Sequence, residues 1–181
     1  MTHQVENIIE GCKRANSKCQ LQFYNMYYKM VYSSCYRILP DAMDAEDAMQ
    51  EAFLKAFDKI DTIADAPLEA WLRRIAINTS LDKLKKKKVA LIELDDKMPI
   101  IDDEPYNEDE ITWKVENVKK AVSQLPDRHR VILSLHLLEG FDYSEIAEIL
   151  NIKEGAARAQ YTRARQKLIE FLKNSITYQD T

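Results

Sequence analysis

The sequence predicts an all-α protein made of two small helical domains joined by a flexible acidic linker. Three observations predict this class. The 181 residues contain only three glycines and five prolines, which leaves little material for the turns of a many-stranded sheet. Apolar residues recur at steps of three and four along most of the chain, as in amphipathic helices. One acidic segment interrupts that period and divides the chain in two.

The acidic segment concentrates the negative charge of the protein. Residues 89–112 carry nine acids and one lysine, whereas residues 1–88 and residues 113–181 each have a net charge of +2. The segment contains Pro99 and Pro105 and has no helical period. A structureless stretch of this length is uncommon inside a compact domain. We therefore interpret it as a linker between two domains; the alternative is a solvated loop on one domain.

The first domain is expected to begin with a short helix over residues 4–11 and a longer one. Ser17 is the expected cap of the longer helix, and Pro40 ends it. The expected core stripe of this helix contains Leu21, Tyr24, Tyr28, Val31, Cys35 and Ile38.

Two further helices complete the first domain. One begins at Asp41 or Asp44, and its alanines let another backbone come close; they are Ala48, Ala52 and Ala56. The other has Pro67 in its first turn, where the missing N–H costs nothing. We expect this last helix to break near residues 78–80.

The second domain is predicted to contain four helices. The first covers residues 113–124, and the second begins at Pro126 and stops at Gly140. Its apolar stripe is Val131, Leu135 and Leu138. The third is short and opens on a capping box between Asp142 and Glu145. The last runs from about residue 153 to residue 173, with core positions Ala157, Tyr161, Ala164, Leu168 and Leu172.

Composition excludes several classes of protein. Glycine occurs only at three scattered positions, so no glycine-rich phosphate loop of a nucleotide-binding enzyme is expected. The three cysteines form no C-x-x-C pair, so we expect reduced thiols in a reducing cytosol, with neither a metal nor a cofactor. The sequence has no signal-peptide pattern and no apolar run of about 18 residues, so a cytoplasmic protein without membrane insertion is expected.

Two basic clusters suggest contact with nucleic acid. A short capped helix, a tight turn and a longer basic helix are the pattern of a helix-turn-helix, whose second helix reads duplex DNA in the major groove. The other cluster interleaves cations with Trp71 in a way that suits single strands; its cations are Arg73, Arg74, Lys83 and Lys85 to Lys88. For both clusters the alternative is an ordinary solvated helix face.

Five segments together resemble bacterial sigma factors of the extracytoplasmic-function group. Residues 44–57 (DAEDAMQEAFLKAF) and 71–79 (WLRRIAINT) are similar to sigma region 2. Residues 125–133 (LPDRHRVIL), 139–147 (EGFDYSEIA) and 155–165 (GAARAQYTRAR) are similar to sigma region 4. The resemblance implies a sigma region 2 domain over residues 1–88 and a sigma region 4 domain over residues 113–181.

The resemblance also implies a function and its site residues. The chain would be a non-enzymatic transcription initiation factor whose partners are core RNA polymerase, promoter DNA and an anti-sigma factor. The residues implied to dock on the clamp helices of the largest polymerase subunit are Asp47, Gln50, Glu51 and Phe53. Those implied to contact the melted −10 element are Trp71, Arg73, Arg74, Asn78, Thr79 and Lys83. Those implied to contact the duplex −35 element are Lys153, Glu154, Ala156, Arg158, Gln160, Thr162, Arg163 and Arg165.

The linker length agrees with a chain that contacts two promoter elements at once. Twenty-four residues at roughly 3.3 Å each reach about 80 Å, and two duplex turns span about 70 Å. Its charge further suggests that it mimics nucleic acid inside a basic polymerase cleft; the alternative is a solvated, self-repelling spacer. Two alternatives remain at this point: a helix-turn-helix repressor that binds operator DNA without polymerase, and an α-helical adaptor with no DNA role.

Overall fold

A computed structural model describes residues 3–63, 67–89 and 115–177, and every long element in these ranges is a helix. The eight α-helices, in chain order, are α1 His3–Lys13, α2 Ser17–Ile38, α3 Ala42–Asp58, α4 Leu68–Val89, α5 Val115–Gln124, α6 Asp127–Leu133, α7 Tyr143–Leu150 and α8 Glu154–Thr177. The all-α prediction is therefore confirmed. Among the helices described, none is long and apolar enough to cross a membrane. Apart from Val89, the acidic linker lies outside the described residues.

Helices α2, α3 and α4 pack against one another around an aromatic core. Phe23 is fully buried, and its ring lies 6.3 Å from that of Phe53 and 5.7 Å from that of Phe57. The alanine face of α3 is buried as predicted, which lets the neighbouring backbones come close. Asp41 caps α3 by accepting a hydrogen bond from the Asp44 amide, which decides between the two predicted caps.

The predicted core face of α2 is partly wrong. Leu21 is 61% exposed and Tyr28 is 36% exposed, whereas Phe23 and Tyr27 are buried in their place. The helix has apolar or aromatic residues on most of its faces, so periodicity alone could not choose the face. Asn16 rather than Ser17 caps α2, because its side chain accepts hydrogen bonds from two first-turn amides.

Helix α4 is continuous, which contradicts the break expected near residues 78–80. Ser80 is buried and donates its hydroxyl to the Ala76 carbonyl, a back-bond within the helix that satisfies the polar group without ending it. Asn78 therefore lies on a helix and not in a loop.

The second half of the chain packs α5, α6 and α7 around α8. The turns follow the prediction closely: Gly140 has φ +81°, and Asp142 and Glu145 form both hydrogen bonds of the capping box. One feature was not predicted. Residues 134–138 form a π-helical turn directly after α6, in which the Glu139 amide donates to the Ser134 carbonyl at 3.0 Å.

Candidate functional site

Helix α3 presents a continuous exposed stripe on the side away from its alanines. Met43, Asp47, Gln50 and Leu54 follow one another at steps of four, three and four, and all four are exposed. Met43 is 78% exposed and Leu54 is 66% exposed, which is unusual for such apolar side chains. We call these four residues the α3 stripe. It combines apolar contact area with an amide and a carboxylate, a combination suited to a protein partner.

The predicted polymerase-contact residues do not all lie on this stripe. Glu51 lies beside it, and its carboxylate is 2.8 Å from the Lys55 ammonium, whose hydrogen bond lowers the pKa of Glu51. Phe53 is 3% exposed and belongs to the core, where its ring packs 4.8 Å from that of Tyr24. This burial is at odds with the expected direct contact by Phe53, whose side chain supports α3 from within the core. Met43 and Leu54 were not among the predicted residues, although their spacing from Gln50 places them on the same exposed stripe.

The residues predicted to contact the −10 element point in several directions from α4. Trp71, Arg74 and Asn78 are at steps of three and four and share one side of the helix, with Arg74 and Asn78 exposed. Thr79 is 2% exposed and accepts a hydrogen bond from the Lys55 ammonium at 3.3 Å. Thr79 is therefore not exposed to a DNA strand in this structure, because it lies on the apolar face of the helix, within the core.

Several cations of α4 are paired with acids. Lys83, which is predicted to contact the −10 element, lies 3.2 Å from Asp47 on α3, which is predicted to contact polymerase. The two side chains therefore neutralise each other's charge. Lys87 pairs with Asp44, and this hydrogen bond raises the pKa of Lys87. The positive charge at this end of α4 is therefore partly balanced by the start of α3.

The helix-turn-helix is formed by α7, a three-residue turn and α8. Asn151 ends α7 in the left-handed conformation, with φ 55° and ψ 51°, and its amide donates to carbonyls of the last turn. Three rings hold the unit together: His136 stacks on Tyr143 at 4.7 Å and meets Tyr161 edge-on at 4.6 Å. His136 Nδ1 also lies 2.8 Å from the Phe141 carbonyl oxygen, which fixes the orientation of its ring.

Helix α8 buries four of its five predicted core positions, and the fifth, Tyr161, is half-buried. Four of the predicted −35 contact residues are exposed; they are Lys153, Glu154, Ala156 and Arg158. The remaining four are half-buried; they are Gln160, Thr162, Arg163 and Arg165. The Arg158 guanidinium is 3.0 Å from Glu154 and 4.9 Å from the Tyr143 ring centre. A pair so exposed contributes little, so Arg158 is free to exchange Glu154 for a phosphate or a base edge.

Two buried charged residues near α6 were not predicted. Arg130 is 3% exposed and donates to carbonyl oxygens of Ile38 and Leu125. The Glu139 side chain is 0% exposed and lies between Arg37 and Arg73. Both belong to segments that resemble sigma region 4, but no periodicity distinguishes a buried charge from a solvated one.

Comparisons with known proteins agree with this architecture. Sequence profiles of Sigma-70 region 2 and of Sigma-70 region 4 match residues 23–89 and residues 116–168. The ECF RNA polymerase sigma factor SigW of Bacillus subtilis is 30% identical over 96% of this chain and its own whole length. The ECF RNA polymerase sigma-E factor of Escherichia coli K12 is 27% identical over 93% of each chain.

Solved structures show the same fold. The sigma factor RpoE of Bartonella quintana, solved with the anti-sigma factor NepR, has a TM-score of 0.58 at 24% identity and covers 84% of this chain and 95% of its own. CnrH, solved with the cytosolic domain of CnrY, has a TM-score of 0.54 at 19% identity and covers 92% and 96%. Since both profiles and a full-length relative match, this chain belongs to the ECF RNA polymerase sigma factors and is a promoter-specific transcription initiation factor.

Proposed function

We propose that three separate surfaces divide the work of initiation. The α3 stripe together with Glu51 binds the clamp helices of the largest polymerase subunit. The outer side of α4, with Trp71, Arg74 and Asn78, contacts the melted −10 strand. The outer side of α8 contacts the −35 element as duplex. The observation that carries this proposal is the α3 stripe, because exposed Met43 and Leu54 beside an amide and acids fit a protein surface better than DNA.

The polymerase contact is tested by Gln50→Ala combined with Glu51→Ala. Both side chains lie outside the core, so helicity should be unchanged while polymerase binding weakens. Losing one amide contact and one charged contact should cost about 1–3 kcal/mol, which is about 5- to 150-fold in Kd.

The matched control is Gln22→Ala combined with Glu10→Ala. Glu10 pairs with Lys13 at 2.9 Å much as Glu51 pairs with Lys55, and Gln22 is exposed on α2. The control should bind core polymerase like the unmodified protein in a titration of labelled protein. Equal affinity of the two double variants, at unchanged circular dichroism, contradicts the α3 assignment.

The −10 contact depends on Asn78. Its amide offers both a donor and an acceptor to a base edge, and it is exposed on α4. Asn78→Ala should leave polymerase binding intact and slow promoter opening, measured by permanganate footprinting on matched and mismatched −10 elements. An equal loss on both elements contradicts sequence-specific contact.

The −35 contact depends most on Arg158, in the first turns of α8. If its guanidinium reads a base, Arg158→Ala should cost about 1–3 kcal/mol of binding on the preferred promoter only; if it holds a phosphate, the loss is uniform across sequences. Run-off transcription on templates with single −35 changes separates the two. Unchanged transcription on every template removes Arg158 from the site.

The remaining parts of the proposal concern location and further partners. We propose a cytoplasmic location, where polymerase acts, and an anti-sigma factor as a competing partner, because the Bartonella quintana sigma factor was solved with one. Such a partner should cover Met43 and Leu54 and displace polymerase in a competition titration. The nucleic-acid mimicry of the linker stays a prediction, tested by neutral substitution of its acids followed by measurement of abortive transcripts.

A further inference from the structure

A cavity lies between α2 and α5, next to the π-helical turn. Its volume of about 430 Å³ is within the range of small-molecule sites. We call it the α2–α5 cavity. The side chains that define its chemistry are Tyr32, Tyr36 and Arg37 on α2, Lys119 and Lys120 on α5, and Leu138 in the π-helical turn. None of them belongs to the three surfaces proposed above, so the proposed function leaves this cavity without a role.

One wall of the cavity is aromatic. The rings of Tyr32 and Tyr36 stack with their centres 5.9 Å apart and their planes 24° from parallel. Tyr32 is half-buried against the core, whereas Tyr36 is 40% exposed and lines the cavity. A partly exposed aromatic ring can stack on the π system of a planar ligand. This wall therefore suits a flat ring better than a small inorganic ion.

The cavity is also cationic. Among the described side chains that line it, Arg37, Lys119 and Lys120 are positively charged and none is acidic. Both lysines are exposed, so their ammonium groups are accessible from solvent. Cations gathered around a concave surface attract anions, and both lysine and arginine bind phosphate. The charge therefore favours an anionic ligand over a neutral one.

Arg37 is held in position for such a ligand. Its Nη1 atom lies 2.5 Å from a carboxylate oxygen of the fully buried Glu139 and 3.4 Å from the Leu138 carbonyl oxygen. Both contacts are made through Nη1, and a guanidinium carries five N–H groups. The Arg37 side chain is 27% exposed, so its other N–H groups can donate to an anion while Glu139 fixes the planar fork.

Two serine hydroxyls in the lining support the cations. The Ser134 hydroxyl donates to the Arg37 carbonyl at 3.2 Å, and the Ser123 hydroxyl donates to the Lys120 carbonyl at 2.8 Å. A hydroxyl has a single hydrogen, so neither serine can donate to a ligand in this arrangement. Recognition of an anion is left to the cations, and a neutral sugar would find few donors here.

We propose that the α2–α5 cavity binds a nucleoside phosphate. The base stacks on the Tyr36 ring, and the phosphate oxygens accept hydrogen bonds from Arg37, Lys119 and Lys120. A nucleotide combines a planar ring with several negative charges, which are the two features that the lining matches. Since α2 and α5 lie in different halves of the chain, the bound nucleotide contacts both and should raise the melting temperature of the protein.

The test is isothermal titration calorimetry of the full chain without polymerase. The probes are ADP and GDP, with adenosine, guanosine and inorganic pyrophosphate as partial ligands that lack either the phosphates or the base. A nucleotide should bind at least about fivefold more tightly than its partial ligands, because stacking of one base contributes about that factor. Nucleotides that bind no more tightly than pyrophosphate overturn recognition of the ring, and nucleotides that bind no more tightly than nucleosides overturn recognition of the phosphates. No binding of either nucleotide at about 1 mM overturns the site.

A double variant tests the cations. Lys119→Gln combined with Lys120→Gln should weaken nucleotide binding at least about tenfold, because two charged hydrogen bonds are lost. The matched control is Lys18→Gln combined with Lys59→Gln, which makes the same charge change at exposed lysines that do not line the cavity. Equal affinity of the two double variants overturns the assignment of the cations.

A single variant tests the aromatic wall. Tyr36→Leu should weaken nucleotide binding about fivefold and leave pyrophosphate binding unchanged, whereas Tyr36→Phe, which keeps the ring, should bind like the unmodified chain. The control is Tyr28→Leu, because Tyr28 is 36% exposed and stacks on Tyr24 at 5.8 Å but does not line this cavity. A folded Tyr36→Leu variant with unchanged nucleotide affinity overturns the stacking. If circular dichroism shows that Tyr36→Leu is unfolded, the double lysine variant decides, since its side chains are exposed.

Discussion

Arg130→Met should be among the most destabilising single changes in the second half of the chain. The guanidinium is buried and donates to the carbonyl oxygens of Ile38 and Leu125, and it pairs with Asp127 at 2.5 Å. Methionine keeps the apolar stem but supplies no donor. Two carbonyls left without a partner cost about 1–3 kcal/mol each. Asp127 is one-third exposed and returns to water, so we expect a total loss of about 3–5 kcal/mol, the range for breaking a buried charged pair.

The assay is urea unfolding followed by circular dichroism at 222 nm, with Arg128→Met as the control. Arg128 is exposed on the same helix, so its replacement should shift the free energy of unfolding by no more than about 0.5 kcal/mol. Equal midpoints for the two variants would refute the view that Arg130 satisfies buried carbonyls. Arg130→Lys should fall between them, because an ammonium cannot reach both carbonyls with the planar fork of arginine.

Four further predictions concern packing and titration. Gly11→Ala should destabilise by about 1–3 kcal/mol, since the new Cβ would lie 2.2 Å from Cys19 Sγ and 2.7 Å from its Cβ. Gly155→Ala meets open space within α8 and should stabilise by about 0.5–1 kcal/mol; thermal melts of both variants check this. Cys19 should react first with a maleimide at pH 8, because burial raises the pKa of the Cys12 and Cys35 thiols to about 11. Mass spectrometry of the Cys19→Ser variant should show that the fast adduct is lost. Burial and neighbouring cations lower the pKa of His129 below 6.5, so the unfolded state takes up its proton first as pH falls. The free energy of unfolding should therefore fall as pH drops below about 6.5. Urea titrations of His129→Phe should show a weaker dependence of that free energy on pH.

Periodicity and capping chemistry were sufficient to predict buried positions and helix ends wherever a helix has one apolar face. The alanines of α3, the core positions of α8 and the capping box at Asp142 were predicted because each local signal has one solution. Periodicity failed on α2, where Tyr28 and Phe23 lie on different faces and only packing against α3 decides which is buried. The sequence also failed to predict that α4 is continuous, because it does not show that the buried Ser80 donates its hydroxyl to a carbonyl of the same helix.

For the candidate site, the sequence predicted which residues belong to the relevant helices better than which of their side chains face solvent. Asn78 and Arg158 are exposed as expected, although Asn78 lies on a continuous helix, whereas Phe53 and Thr79 belong to the core. The resemblance identified the segments, and a motif does not separate a side chain that contacts a partner from one that supports it. Glu139 stood out only as the first residue of a motif, since its partners lie about 100 and 65 residues away in sequence.

The π-helical turn after α6 accommodates one residue more than a regular α-helical turn. The Glu139 amide bonds to the carbonyl five residues earlier, whereas a regular α-helix uses the fourth, so the extra residue widens the turn and does not rotate the residues that follow. Deletion of the exposed Leu137 would let the same amide and carbonyl close a regular turn, with Glu139 still beside Arg37 and Arg73. The join between the two halves should therefore tolerate the loss of one residue here, whereas one further inserted residue would rotate Glu139 by about 100° away from both arginines.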